Sequence, residues 1–156
     1  VSNYGELQVA NSLVYGNYKN TPGLSETIRI LSKAIPILRG MMKVDPRLEI
    51  VLRPIKSRRY VGLHFQTSSG GFIEVDPRRA GVAQCLETLC HEFVHAEQWF
   101  TGKMKQTMSR ELRQWEDRTV NMAYTAYLDL PWEVEARQRQ KALADAVMAK
   151  INGRAF

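Results

Sequence analysis

Cysteine, histidine and long apolar runs are all scarce in this sequence, and each scarcity narrows what the chain is. Of its 156 residues two are cysteines, Cys85 and Cys90. They fall in one predicted helix about 140° apart on the wheel, so no bridge is expected between them. Nor do they form a pair with zinc-ribbon spacing. Two buried, reduced thiols suit a cytoplasmic protein. No apolar stretch reaches the roughly 20 residues that a membrane span needs, because Lys, Arg, Glu or Asp interrupts each one. No secretory apolar segment opens the sequence, which starts at Val1. Repeats, low-complexity tracts and linker-like stretches are absent too, so residues 1–156 read as a single domain. With 44% hydrophobic and 24% charged residues, the balance is that of a globular chain rather than a disordered one.

Acidic residues are outnumbered by basic ones, leaving a formal net charge of +6. The excess is concentrated in Arg53-Pro-Ile-Lys-Ser-Arg-Arg59 and again at Arg78-Arg79. Such a surface favours an acidic partner such as nucleic acid or an anionic cell-surface polymer. No nucleic-acid motif accompanies it, so a solvated, solubilising surface is the preferred reading.

Hydrophobic spacing orders the chain. Ile28, Leu31, Ile35 and Leu38 recur at helical intervals within residues 24–40, with Ser25 as N-cap, Gly40 as stop and a kink at Pro36. Leu48 to Leu52 is a short β-type run. Residues 60–66 alternate, with Val61, Leu63 and Phe65 on one face and Tyr60, His64 and Gln66 on the other. The turn-like Thr-Ser-Ser-Gly-Gly and the run Phe72 to Val75 complete a predicted hairpin. Residues 80–101 are helical, ending at Gly102. A third helix is expected over 109–127 and a fourth from Pro131 to about Lys150. Helix, short sheet, then several helices is an α+β order.

Within the long helix stands His91-Glu92-Phe93-Val94-His95, an HExxH motif. Positions i and i+4 lie one turn apart on a single helix face, so both imidazoles can reach one metal ion. Glu92 is then placed to take a proton from water at that metal, as a general base. On the wheel the stripe around His91 holds Gln84, Thr88, His95 and Gln98. Val82, Cys85, Leu86, Leu89, Phe93, Ala96 and Phe100 form the opposite, apolar side. The histidines therefore lie off the expected core face.

A catalytic zinc site takes three protein ligands and keeps one position open. A further histidine in the metzincin manner is excluded, because Gln98 and Thr101 occupy the places of its Gly and His. His64 is the only other histidine and belongs to the strand region. Downstream carboxylates remain, in Pro131-Trp132-Glu133-Val134-Glu135-Ala136. Glu133 opens a stripe that continues through Ala136, Leu143, Ala144, Val147 and Ile151. A carboxylate aligned with a buried stripe needs something to offset its desolvation, and a zinc ion would do so. Pairing with Arg137 is the plain alternative. Glu135 faces the other way, one turn from Arg139, where an ion pair explains it. Small Ala136 would let this helix pack close to the HExxH helix.

An HExxH helix followed by Glu-x-x-Ala on a later helix resembles the gluzincin group of metallopeptidases. The likeness is to compact ImmA/IrrE-like and M48-like minimal domains, and to small phage- and prophage-encoded metallopeptidases with a similar Pro-Trp-Glu-x-Glu-Ala segment. It covers about residues 72–136. Arg137 departs from it, standing where those families usually carry Asp or Asn, which leaves the subfamily open. The resemblance implies a zincin-like fold, with a short antiparallel or mixed sheet against the HExxH helix and further helices C-terminal. It implies Zn2+ held by His91, His95 and Glu133, a peptide or protein substrate, and Glu92 as the catalytic base. His64, Tyr124 and Tyr127 are the candidates for stabilising the oxyanion. Residues 60–66 or 71–75 are the candidates for pairing with an extended substrate.

Three other readings stand beside this one. An SprT-like protease acting beside DNA fits the basic surface but requires a third histidine after His95, which the sequence lacks. A non-catalytic zincin scaffold would have no use for Glu92. Hydrolysis of a non-peptide amide, as in cell-wall cross-links, would use the cationic surface for approach.

Overall fold

Alternation and helical spacing resolve into eight strands and three helices among residues 7–9, 12–14 and 23–153, those that the computed structural model describes. In chain order these are β1 (Leu7–Val9), β2 (Ser12–Val14), α1 (Leu24–Met41), β3 (Glu49–Leu52), β4 (Gly62–Phe65), β5 (Phe72–Val75) and α2 (Val82–Phe100). There follow β6 (Met104–Gln106), β7 (Leu112–Trp115), β8 (Arg118–Asn121), a single 3-10 turn at Tyr127–Asp129 and α3 (Pro131–Ile151). The fold is α+β, as expected.

The larger sheet has the order β1-β2-β3-β5-β4. β2, β3 and β5 run parallel, while β1 and β4 pair antiparallel at the two edges. Central strands of such a sheet are covered on both faces and read as apolar runs. Ile50, Val51, Leu52, Ile73 and Val75 are accordingly buried. Leu31, Ile35 and Leu38 of α1, Leu86, Leu89 and Phe93 of α2, and Ala136 and Val147 of α3 complete one core. Pro36 lies inside α1 on its exposed face, where water can take the carbonyl that the missing N–H leaves free. Two details of α1 differ from expectation. Its N-cap is Gly23 rather than Ser25, and it runs one residue past Gly40. Gly102, with φ of 76°, ends α2 as predicted.

The larger correction concerns residues 109–127, which are not a helix. β6, β7 and β8 form an antiparallel meander. Leu112–Trp115 and Arg118–Asn121 are separated by two residues, the spacing of a tight hairpin. Glu116 adopts a φ of 54° to make the turn, at a cost of roughly 1–2 kcal/mol. Packing decides the matter. Trp115 buries against Met104, Leu130 and Trp132 in a second, smaller core, with its ring 6.2 Å from that of Trp132. One helix, not several, therefore follows the HExxH segment among the described residues.

Much of the basic segment is tied into the fold. Asp76, fully buried, accepts from the Ile55 amide at 2.9 Å, from the Arg78 amide and Nε at 3.1 and 3.2 Å, and from Arg79 Nε at 3.1 Å. Burial opposes the charge on Asp76, but these bonds hold its carboxyl below the usual range. Arg79 also donates to the carbonyls of Ile55, Ser57 and Tyr60, and Arg53 pairs with Glu74. This network fixes the loop that leads into β4.

Both cysteines are free and buried, and burial pushes their thiols up to about 11 for Cys85 and about 12 for Cys90. No helix among the described residues is long and apolar enough to cross a membrane.

Candidate metal centre

The stripe of α2 that the wheel leaves polar starts at the surface with Gln84, is half-buried at Thr88 and His91, and is buried at His95 and Gln98. α3 lies across it, so His95 is 7% and Gln98 1% exposed, while Phe100 on the apolar side is 51% exposed. The amphipathic pattern finds the face toward the sheet but not this second, polar interface. Ala136, fully buried, gives α3 its close approach.

At that interface three side chains converge. His91 Nε2 and His95 Nε2 are 3.2 Å apart. Glu133 places Oε2 3.1 Å from the first and Oε1 3.0 Å from the second. Ligands about 2.0–2.1 Å from a tetrahedral ion stand roughly 3.3 Å from one another. The donor set and its spacing thus fit a zinc ion. Among the described residues this is the one cluster of His, Cys, Asp and Glu with such convergence.

The tautomers follow from the neighbouring amides. Gln98 Nε2 donates to the Trp132 carbonyl and to Glu135 Oε1, both at 3.1 Å. Its Oε1 must therefore be the atom facing His95 Nδ1 at 2.8 Å, and it accepts the Nδ1 proton. Gln140 Nε2 faces Glu87 Oε2 at 3.4 Å, which turns its Oε1 to His91 Nδ1 at 2.8 Å. With each proton held on Nδ1, two Nε2 lone pairs and a carboxylate point at one another. Only a cation makes that arrangement favourable. Metal-free, the same demand falls on protons. Burial opposes protonation of His95 and ionisation of Glu133, yet Glu133, Glu92 and Gln98 raise His95 above its ordinary value, and His91 and His95 depress Glu133 far below its own.

Glu133 sits in the first turn of α3, where the helix dipole favours an anion. Its neighbour Trp132 is anchored in the small core formed with the meander. Arg137 does not pair with Glu133. It donates to the Leu128 carbonyl and so holds the 3-10 turn against α3. Glu135 is likewise no part of the cluster. It accepts from Gln98 and Lys103 and lies 3.6 Å from Arg139, bracing the amide that orients His95.

Glu92 is 8% exposed, and its carboxylate has no hydrogen bond among the described residues. Burial raises its pKa, partly offset by His95 and His91 and reinforced by Glu133. Of the three oxyanion candidates, two lie at the site. His64 in β4 has a buried Nε2 with no partner, and burial together with His95 pushes its pKa down to about 3, so it is neutral. Tyr127 is 61% exposed as a residue, but desolvation of its hydroxyl end, a hydrogen bond with Glu133 and the charges of Glu133 and Glu92 raise its pKa above the ordinary tyrosine value. Tyr124 is 89% exposed and takes no part in the cluster.

Two hollows flank the three ligand atoms. One, of about 220 Å³, is bounded by Tyr60, Gly62, Thr88, His91 and Gln140. The other, of about 120 Å³, is bounded by His64, His95, Trp99, Arg113, Trp132 and Glu133. β4 borders both. The sequence reading missed Gln98, Gln140 and Arg113. Gln98 and Gln140 carry a legible signal, lying one turn past His95 and two turns past Glu133 on the same faces. Arg113 carries none, since it falls in the segment expected to be helical.

β4 reaches this close to α2 because residue 62 has no side chain. A Cβ on Gly62 would stand 2.6 Å from Thr88 Cγ2, 3.2 Å from the Glu74 carbonyl oxygen and 3.4 Å from Glu92 Cγ. Gly62→Ala is expected to lose about 1–3 kcal/mol of stability in urea unfolding, the usual cost of overpacking. Adding Thr88→Ser, which removes the offending methyl, should restore part of it, the contact with the Glu74 carbonyl being left in place. An unchanged midpoint for Gly62→Ala alone would show that the strand does not press on the helix here.

Comparison of the chain with protein-family models, with curated proteins and with solved structures finds no match, so the meaning of the site rests on its own donors and their geometry.

Proposed function

We propose that this protein is a zinc metallopeptidase of the gluzincin kind, with His91, His95 and Glu133 as the metal ligands and Glu92 as general base. The observation that carries the reading is the meeting of two Nε2 atoms and one carboxylate, with the Nδ1 atoms of both rings facing the side-chain amide oxygens of Gln98 and Gln140. A mixed sheet whose antiparallel edge strand lies along the HExxH helix, with the glutamate on the following helix, is what a zincin-like arrangement requires.

His91, His95 and Glu133 would hold a zinc ion, which would supply a Lewis acid for the scissile carbonyl and bring the pKa of water toward 7. Glu92, buried and unbonded, takes the water's proton and delivers it to the leaving amine. Tyr127, kept protonated by its acidic neighbours, and neutral His64 are the donors for the developing oxyanion. The substrate lies along β4 rather than β5, because β5 is paired on both sides. The Asp76 amide bonds the Val61 carbonyl, so by antiparallel alternation Leu63 and Phe65 bond toward β5. The backbone groups of Gly62 and His64 then face the open edge, where an extended peptide adds as a strand.

The other readings find less support. No third histidine joins the cluster as an SprT-like site needs, and Arg53, Arg78 and Arg79 are engaged within the fold. A scaffold without catalysis leaves the burial of Glu92 without a reason. Two buried free thiols accord with a reducing, cytoplasmic setting.

Incubating the zinc-loaded protein with unfolded casein and counting new amino termini tests the proposal. Termini should appear, stop with 1,10-phenanthroline and resume when zinc is restored. Cleavage indifferent to the chelator would end the metal reading.

A further inference from the structure

Arg113 is a charge without an answer. It projects from β7 into the smaller hollow, with its guanidinium carbon 5.2 Å from the ring of Trp99 and 5.6 Å from that of Trp132. Its Nε is buried and has no hydrogen-bond partner, and no carboxylate lies within ion-pair distance among the described residues. The neighbouring cations differ. Lys103 is matched by Glu135 and Glu116, and Arg139 by Glu97 and Glu135. Glu133 borders the same hollow, but its two oxygens are committed to His91 and His95.

Stacking on ring faces holds a guanidinium in place while leaving its in-plane N–H groups free. That fork matches a carboxylate, which it binds through two parallel hydrogen bonds. We infer that Arg113 is the specificity-determining residue of this site and binds a carboxylate of the peptide next to the scissile bond. Two sources share that chemistry, the side chain of Asp or Glu and a free C-terminus. His64, His95 and Glu133 line the same hollow of about 120 Å³, so a carboxylate bound there lies beside the ligand cluster. As a statement about substrate choice the inference rests on the peptidase reading; as a statement about carboxylate binding it stands apart from it.

The test separates the two. Two of the three tryptophans flank Arg113, so their fluorescence reports its occupancy. Metal-free protein is titrated with N-acetylglutamate α-amide, with N-acetylglycine and with neutral N-acetylglutamine α-amide. One of the two carboxylates should bind roughly 10- to 100-fold more tightly than the neutral amide, the usual worth of hydrogen bonds to a charged group. The winner identifies a side-chain or a terminal carboxylate. Arg113→Gln should erase the difference, and Arg113→Lys should keep only part of it. Circular dichroism and zinc content should match wild type in both variants. With zinc present, Arg113→Gln should shrink the kcat/KM ratio between peptides bearing the preferred carboxylate and their amidated counterparts by a similar factor. Equal binding of all three probes, or discrimination that survives in Arg113→Gln, overturns the inference. Carboxylate binding through Arg113 in a protein that cleaves no peptide instead removes the peptidase reading and leaves the carboxylate site standing.

Discussion

Glu92→Gln is expected to keep its zinc and its fold while losing peptide hydrolysis by about 10²- to 10⁴-fold, the range for removing a general base. The substitution is nearly isosteric, so the packing against Gly62 and Thr88 stays as it is. What changes is that an amide cannot accept a proton. Glu92 is 8% exposed as a residue and its carboxylate has no hydrogen bond among the described residues, and burial pushes it toward the neutral form, so the charge has a cost and no structural benefit. In the metal-free protein the variant should therefore melt no lower than wild type. A stable, zinc-loaded Glu92→Gln that turns over casein at the wild-type rate would remove Glu92 as the base. Loss of activity together with loss of zinc would instead mean that the carboxylate holds the site together.

The second large effect separates two glutamates that differ by half a helical turn. Glu133→Ala removes one of three ligand atoms and leaves two imidazoles facing a gap. Its zinc affinity should fall by more than the 10- to 100-fold typical of losing an outer partner. Glu135→Ala leaves the ligand atoms in place and removes one of the two acceptors of Gln98 Nε2, along with a partner of Lys103 and Arg139, so its loss should stay within about that range. Dialysis against a zinc buffer followed by metal analysis reads both. Zinc should also raise the melting temperature of wild type and of Glu135→Ala, since a ligand bound only by the folded state stabilises it. Equal retention by the two variants would take Glu133 out of the cluster. A greater loss from Glu135→Ala would exchange their roles.

These expectations draw unequally on sequence and structure. The two histidines one turn apart need nothing beyond the geometry of a single helix, and so does the placing of Glu92 between them. The choice of Glu133 over Glu135 was also legible, because a carboxylate in line with Ala136, Ala144 and Val147 has to meet something inside. The hairpin of β4 and β5 follows from alternation and a glycine turn.

The sequence of residues 109–127 predicts a helix where strands form, because its apolar positions are too sparse to separate a period of two from one of 3.6. What makes them strands is distant in sequence. Trp115 finds Trp132 and Met104 in a core of its own, and no local pattern encodes that meeting. Arg113 was invisible for the same reason, since a lone arginine in a polar segment looks solvated until two tryptophans from other elements close around it. The polar stripe of α2 was likewise taken to lie off the core. A helical wheel records only which residues share a face, and whether water or another helix covers that face depends on where α3 returns. Local spacing thus specified the atoms available to a metal, because they lie on one rigid element with a known period. Their burial, their tautomers and the charge beside them came from contacts between elements far apart in the chain, which only the packed molecule brings together.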